Sequence, residues 1–115
     1  MEECVFCKIV KGELPCDKVY DDENFIGFLD IRPKAEGHTL IVSKKHFTNA
    51  LDLPVSLGNE LLEAIKIVGM KLIEEKKSGG FNVIFNTGSV AGQIIHHFHC
   101  HIIPRRGDDG LHILV

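Results

Sequence analysis

The stretch His96-His97-Phe98-His99-Cys100-His101-Ile102-Ile103-Pro104 decides how this chain is read. In a β-strand successive side chains point to opposite faces, so His97, His99 and His101 would share one face and Phe98, Cys100 and Ile102 the other. One face is apolar and the other is imidazole. Imidazoles on a half-buried strand gain nothing from burial themselves, and they are costly unless paired, solvated or put to use. A surface histidine stripe over a packed reverse face is the plain alternative. Strict alternation between a glycine-containing loop and Pro104 points instead to a site.

Imidazole is the side chain best suited to act as nucleophile or acid and base near neutral pH, and a partner on one ring nitrogen sets which nitrogen reacts. At a rise of about 3.3 Å per residue, alternate histidines stand roughly 7 Å apart at the backbone and can bracket a tetrahedral phosphate, with His99 at the centre. The preceding loop carries Gly88 and Gly92, whose missing Cβ lets backbone N–H groups turn toward an anion. It lacks the Gly-Lys-Ser/Thr ending of a P-loop, which argues against a Mg-dependent NTPase.

Outward from this stretch, the pattern predicts one α+β domain over residues 1–115: a mainly antiparallel five-stranded sheet with one long and one short helix. Val5, Phe6, Ile9 and Val10 recur at helical spacing before Gly12, which predicts a short helix over 4–11. The runs 18–20 and 25–29, separated by Asp21-Asp22-Glu23-Asn24, read as a hairpin, and 38–42 as a central strand with His38 at its entrance. Pro54 opens the one long helix, whose apolar stripe of Leu57, Leu61, Leu62, Ile65, Val68, Leu72 and Ile73 runs toward an end marked by Lys76-Lys77 and a stop at Gly79-Gly80. Residues 81–85 form the next strand, and the histidine strand comes last.

Composition bounds the function. The chain has 115 residues, is 44% hydrophobic and 25% charged, and carries a formal net charge of -3, which excludes an electrostatic nucleic-acid binder. No run is long and apolar enough to cross a membrane, and Met1-Glu2-Glu3 is unlike a secretion signal, so a cytoplasmic setting is expected. In a reducing compartment Cys4, Cys7, Cys16 and Cys100 read as thiols or metal ligands rather than disulfides. Cys4-x-x-Cys7 is a thiol pair that could be redox-active, metal-binding or simply packed. Cys16 and Cys100 read as small buried or half-buried residues, and His96 and His112 as solvated.

The segment His97-Phe98-His99-Cys100-His101-Ile102-Ile103 resembles the signature of the histidine-triad (HIT) family, His-φ-His-φ-His-φ-φ with φ apolar, at every position. Gly92-Gln93, Asn86, Phe28-Leu29-Asp30-Ile31 and His38 also resemble that family's phosphate loop, amide position, ribose-binding strand end and additional histidine. The resemblance implies a nucleotide hydrolase or transferase in which His99 attacks the α-phosphorus and forms a transient nucleotidyl-histidine. His101 would bind phosphate oxygens and the leaving group, with His97 and His38 completing the catalytic set. Asn86 and the backbone of Gly92, Gln93 and Ile94 would hold phosphate, and Asp30 would accept from the ribose hydroxyls. Val5, Phe6, Ile9, Phe28 and Ile31 would line a purine pocket. Plain core packing for these apolar residues, and turn capping for Asp30, are the competing readings.

Two further implications concern metal and assembly. Family members that begin Cys-x-x-Cys look like those that bind zinc, which would make Cys4, Cys7, His46 and His97 a closed, structural tetrahedral set. Without metal, His46 would be solvated and His97 would bond a backbone carbonyl. No Mg requirement is expected, and family members typically pair into homodimers through the long helix and the adjoining strand; the helix's stripe also carries Ile67 and Met70. The resemblance favours purine nucleoside phosphoramidates or other AMP conjugates as substrates, with dinucleoside polyphosphate hydrolysis and a non-catalytic nucleotide-binding module as alternatives. One position departs from the pattern. Ile94 stands where related proteins often carry Ser or Thr, which removes a side-chain proton donor for amine leaving groups.

Overall fold

Thr39-Leu40-Ile41-Val42-Ser43 is β-branched or apolar at nearly every position, and all five residues are buried. A strand covered on both faces belongs inside a sheet, and this one, β3, is flanked on both sides. The computed structural model describes residues 4–112. Its elements are α1 (Val5–Val10), β1 (Lys18–Asp21), β2 (Phe25–Leu29), β3 (Thr39–Ser43), α2 (Gly58–Lys76), β4 (Gly80–Ile84) and β5 (His99–Arg105). The strands form one five-stranded sheet in the order β1-β2-β3-β5-β4, and every neighbouring pair is antiparallel. This is the α+β architecture expected from the pattern, with one long and one short helix. No helix among the described residues is long and apolar enough to cross a membrane.

The pleat divides the sheet's side chains between two helices. On one face Ala64, Val68 and Leu72 of α2 pack with Phe25, Ile41, Phe98, Cys100 and Ile102. On the other, Phe6 of α1 packs with Ile26, Phe28, Leu40 and Val42. His99 and His101 alternate with Cys100 and Ile102, and therefore face the α1 side. Gly69 is required by its neighbour. A Cβ there would lie 2.2 Å from the Phe81 ring, so only a bare backbone lets β4 close against α2. The solvent side of α2 leaves Leu62, Ile67 and Met70 exposed.

Three expectations need correction. The histidine strand begins at His99, and His97 lies in a bend before it. The chain turns there because the Phe98 N–H donates to the Phe47 carbonyl (2.6 Å) and the His97 ring bonds the Ser43 carbonyl (2.6 Å), which anchors residues 97 and 98 on the loop after β3. The stop of α2 is Lys77, in the left-handed region at φ 54, rather than Gly79-Gly80. The buried Ser78 hydroxyl donates to the Leu72 carbonyl (3.3 Å) and ties down the last turn, which frees Gly80 to begin β4. Pro104 does not end β5. It sits past the last residue paired to β3, so its missing N–H costs no ladder bond on that side.

Candidate active site and metal cluster

His99 and His101 stand on the same face of β5 with ring centroids 5.2 Å apart. His99 Nδ1 is 2.7 Å from the His97 carbonyl oxygen, and a carbonyl can only accept, so the proton is on Nδ1 and the lone pair on Nε2. The His99 ring meets Phe6 edge to face at 5.0 Å. Burial holds its pKa below the usual histidine range, partly offset by the bond to the His97 carbonyl and the charge of Asp30.

The tautomer of His101 is set at a distance. The Lys34 backbone N–H donates to His38 Nδ1 (2.9 Å), which puts the His38 proton on Nε2. That nitrogen is 3.0 Å from His101 Nδ1, which accepts, so neutral His101 carries its own proton on Nε2. Burial pulls the His101 pKa down to about 4, and the neighbouring His99 and His38 push the same way against Asp30. The His38 pKa is also lowered, by burial first. Asp30 closes the chain: Oδ2 is 3.4 Å from His38 Nε2 and 4.0 Å from His101 Nδ1, while Oδ1 accepts from the Arg32 N–H at 2.9 Å. Asp30 therefore caps its turn and still lines the cavity. Asp30, His38 and His101 also converge closely enough to qualify as a metal-ligating trio. The Lys34 N–H argues against that use, because ligation through His38 Nε2 would move its proton to Nδ1 and set donor against donor.

His99, His101 and Asp30 open into a cavity of about 620 Å³, while His38 is buried behind them and does not line it. His99, His101, Asn86 and Gly92 line one part of it; Val5, Phe6, Ile9 and Phe28 line another, with Asp30 and Ile31 between strand end and loop. Ile94 lines it as well. Phe6 and Phe28 are at once core and cavity lining, buried to 4% exposure each and stacked edge to face at 5.7 Å. Leu40, Cys16 and Asp17 also line the cavity and carry no motif that marks them. Cys16 is exposed there rather than buried. His96 and His112 are exposed, and Cys100 is buried, its thiol pushed up to about 12 by burial.

The loop over the histidines is built mainly from its own bonds. Gln93 is buried and does not line the cavity; its Nε2 donates to the Thr48 (2.6 Å) and Ile95 (3.2 Å) carbonyls, and its Oε1 accepts from the Gly88 N–H at 2.9 Å. The backbone N–H groups of Gly92 and Gln93 donate to the Ser89 and Gly88 carbonyls, which closes the 3₁₀ turn Ser89–Ala91. Of the three loop residues expected to hold phosphate, Gly92 and Gln93 thus have their donors committed inside the loop. Gly92 adopts φ +101, and a Cβ there would meet the Asn86 side chain at 3.4 Å.

A second cluster lies on the far side of His97. Cys4, Cys7, His46 and His97 place one donor atom each within 4.8 Å of all the others. Cys4 Sγ is 3.3 Å and Cys7 Sγ 3.5 Å from His97 Nδ1, and Cys7 Sγ is 3.2 Å from His46 Nδ1. Zinc bonds of standard length at tetrahedral angles imply a sulfur-to-nitrogen edge of about 3.5 Å, so these four residues fit such an ion. The orientation fits too. His97 Nε2–H donates to the Ser43 carbonyl, which leaves Nδ1 with its lone pair toward the thiols, the arrangement a carbonyl partner gives to ligating histidines. His97 is fully buried, and burial first, then His46 and His99, lowers its pKa against the carbonyl bond. It therefore meets the carbonyl expected of a metal-free His97 and the thiols expected of a ligating one. Burial and the adjacent Cys4 raise the Cys7 pKa, a cost that a bound cation would offset.

Comparison with known proteins places these features in context. A family model described as HIT domain matches residues 11–108. The chain is 47% identical over 109 residues to an uncharacterised HIT-like protein of Methanocaldococcus jannaschii, covering 93% of this chain and 82% of that one. It is 37% identical over 109 residues to an adenosine 5'-monophosphoramidase of Candida albicans, covering 91% and 72%. Its fold superposes with a TM-score of 0.91 and 38% identity on a crystal structure of a zinc-bound histidine triad family protein from Mycobacterium smegmatis, covering 96% and 81%.

Proposed function

This chain belongs to the HIT family, and from that premise we propose that it is a single-domain nucleotide hydrolase or transferase that cleaves purine nucleoside phosphoramidates or related AMP conjugates at the α-phosphorus. The observation that carries the reading is the fixed tautomer of His99. Its Nδ1–H is held by the His97 carbonyl and its Nε2 lone pair is left for a cavity that is apolar at its α1 end.

In this scheme His99 Nε2 attacks the α-phosphorus, forming an N–P bond as the bond to the leaving group breaks. His101, after taking an extra proton from solvent as the anionic substrate binds, donates Nε2–H to the departing atom and becomes neutral, and it regains a proton from the water that next attacks phosphorus and releases His99. The low pKa of His101 makes it a weak base and a ready donor once it gains a proton, and the chain from Lys34 through His38 keeps that donor at Nε2. Asn86 binds the phosphoryl oxygens, Asp30 the ribose, and Val5, Phe6, Ile9, Phe28 and Ile31 the base.

Cys4, Cys7, His46 and His97 hold zinc in this reading, as a closed site that braces α1 against the bend at His97 and takes no part in bond making. The fit of the four donor atoms supports it, as does the similarity to a zinc-bound relative. The exposed Leu62, Ile67 and Met70 on α2 support a homodimer paired through that helix.

Steady-state rates on an adenosine phosphoramidate and a diadenosine polyphosphate, without added Mg, test the proposal. The phosphoramidate is expected to be the better substrate and His99→Ala to remove its turnover while AMP still binds. Full activity in His99→Ala overturns the mechanism, faster cleavage of the polyphosphate moves the substrate assignment, and AMP binding with neither activity leaves a binding module.

A further inference from the structure

The loop 86–95 leaves β4 beyond Ile84, which pairs with His101, and returns to β5 just before His99. It is therefore tied to the histidine end of the cavity, whereas α1 and β2 supply the apolar end. The polar side chains at two of its positions are turned to other partners. Ser89 Oγ lies 3.5 Å from His96 Nε2, and Gln93 spends its amide within the loop and on Thr48. Ile94, by contrast, lines the cavity while 87% exposed. A single exposed isoleucine elsewhere on a surface needs no explanation. Ile31, 92% exposed, lines the same cavity beside Asp30 at the end of β2, whereas Ile94 lines it from the loop tied to the histidine end, where an in-line displacement at His99 sends the leaving group out through the open side.

We propose that Ile94 forms a subsite for an apolar leaving group, so that this chain prefers AMP conjugates whose departing amine bears an aliphatic or aromatic substituent. This rests on the reading of the site as an AMP-conjugate hydrolase. A substituent lying on Ile94 removes apolar surface of both partners from water and asks for no hydrogen bond there. The proton for the leaving nitrogen comes from His101 Nε2–H, so a hydroxyl at position 94 is not needed. A small polar leaving group leaves Ile94 in water and gains nothing from it.

Adenosine 5'-phosphoramidates of methylamine and hexylamine test this, because the two amines are nearly equally basic and differ in apolar length. Wild type is expected to favour the hexylamine conjugate by about tenfold in kcat/KM, a factor set by partial burial of the added methylenes. Ile94→Ser is expected to reduce that ratio to within about threefold, and Ile94→Val to keep most of it. An unchanged ratio in Ile94→Ser overturns the proposal, and so does an equal fall for both conjugates, which would put Ile94 on the nucleoside. Calorimetric titration of both conjugates onto His99→Ala, with and without Ile94→Ser, separates the subsite from the reaction. If wild type cleaves neither conjugate, the hydrolase reading fails, and the subsite still stands or falls on whether Ile94→Ser removes the tighter binding of the hexylamine conjugate.

Discussion

Two histidine clusters hang on one short segment, and they differ in what their nitrogens face. Around His97 the donor atoms of Cys4, Cys7, His46 and His97 all point at one another, with sulfur-to-nitrogen distances of 3.2 to 3.5 Å. Around His101 each ring nitrogen has a directional partner, in a chain from the Lys34 N–H through His38 to His101 Nδ1. The first arrangement offers several lone pairs to one cation, and the second passes one proton position along a line. What binds a histidine's second nitrogen thus decides whether the first faces a cluster of donor atoms or a directional partner. His97 joins the two: its ring belongs to the first cluster and its carbonyl fixes His99 in the second.

If the two clusters have separate jobs, substitutions should separate them. His99→Ala should lower kcat by about 10⁴-fold or more while the zinc content measured by elemental analysis stays at one ion per chain, since the nucleophile is lost and no donor of the first cluster is touched. A loss of zinc in that variant would break the distinction. Cys7→Ser should do the reverse: zinc is lost, the melting temperature drops by about 10 °C or more, and activity falls by about 10- to 100-fold through the loosened His97 carbonyl. Unchanged stability, with wild type purified free of metal, would reduce the first cluster to packed thiols.

His38→Gln should lower kcat by about 10- to 100-fold with zinc and melting temperature close to wild type, because it disturbs only which nitrogen of His101 holds the proton. The smallest effect concerns pH. Burial lowers the folded pKa of His101 to about 4, against an ordinary value of 6.5, so below pH 6.5 the unfolded chain binds more protons than the folded one. The stability this group contributes is present above pH 6.5 and is lost as pH falls toward 4, by on the order of 2 kcal/mol. Urea midpoints at pH 7 and pH 4.5 in chelator should show that loss, and His101→Asn should show less of it.

Much of the fold was legible because burial leaves a period in the sequence. Residues 38–42 read as an inner strand from their β-branched and apolar character, one residue ahead of the observed Thr39–Ser43, and the stripe from Leu57 to Ile73 read as a helix from its 3.6-residue spacing. The end of α2 at Lys76-Lys77 was marked by its charge, but the residue that takes the left-handed stop was not, because a lysine can adopt it when a buried Ser78 hydroxyl holds the turn, and glycine is only the commoner choice. Alternation placed His97 on the strand, yet tertiary bonds from the loop after β3 pull it into a bend. In the site, the pairing of His99 with the His97 carbonyl is local and follows from adjacency. The 3.0 Å contact between His38 and His101 joins residues 63 apart, and Lys34 sets its direction through a backbone group that no side-chain motif marks. Cys16 and Asp17 line the cavity for a similar reason, since the bulge in the β1–β2 pairing and the bond from the Leu29 N–H to the Asp17 carbonyl bring that turn alongside Asp30.

The division of labour between the two clusters rests above all on His99 as the bond-forming group. Wild type mixed with an adenosine phosphoramidate, quenched within milliseconds in alkaline denaturant and digested for mass spectrometry, should carry AMP on His99. The adduct should vanish in His99→Ala and persist at reduced level in Cys7→Ser. Turnover that proceeds with AMP trapped on His101, or with no adduct at any quench time, would contradict it.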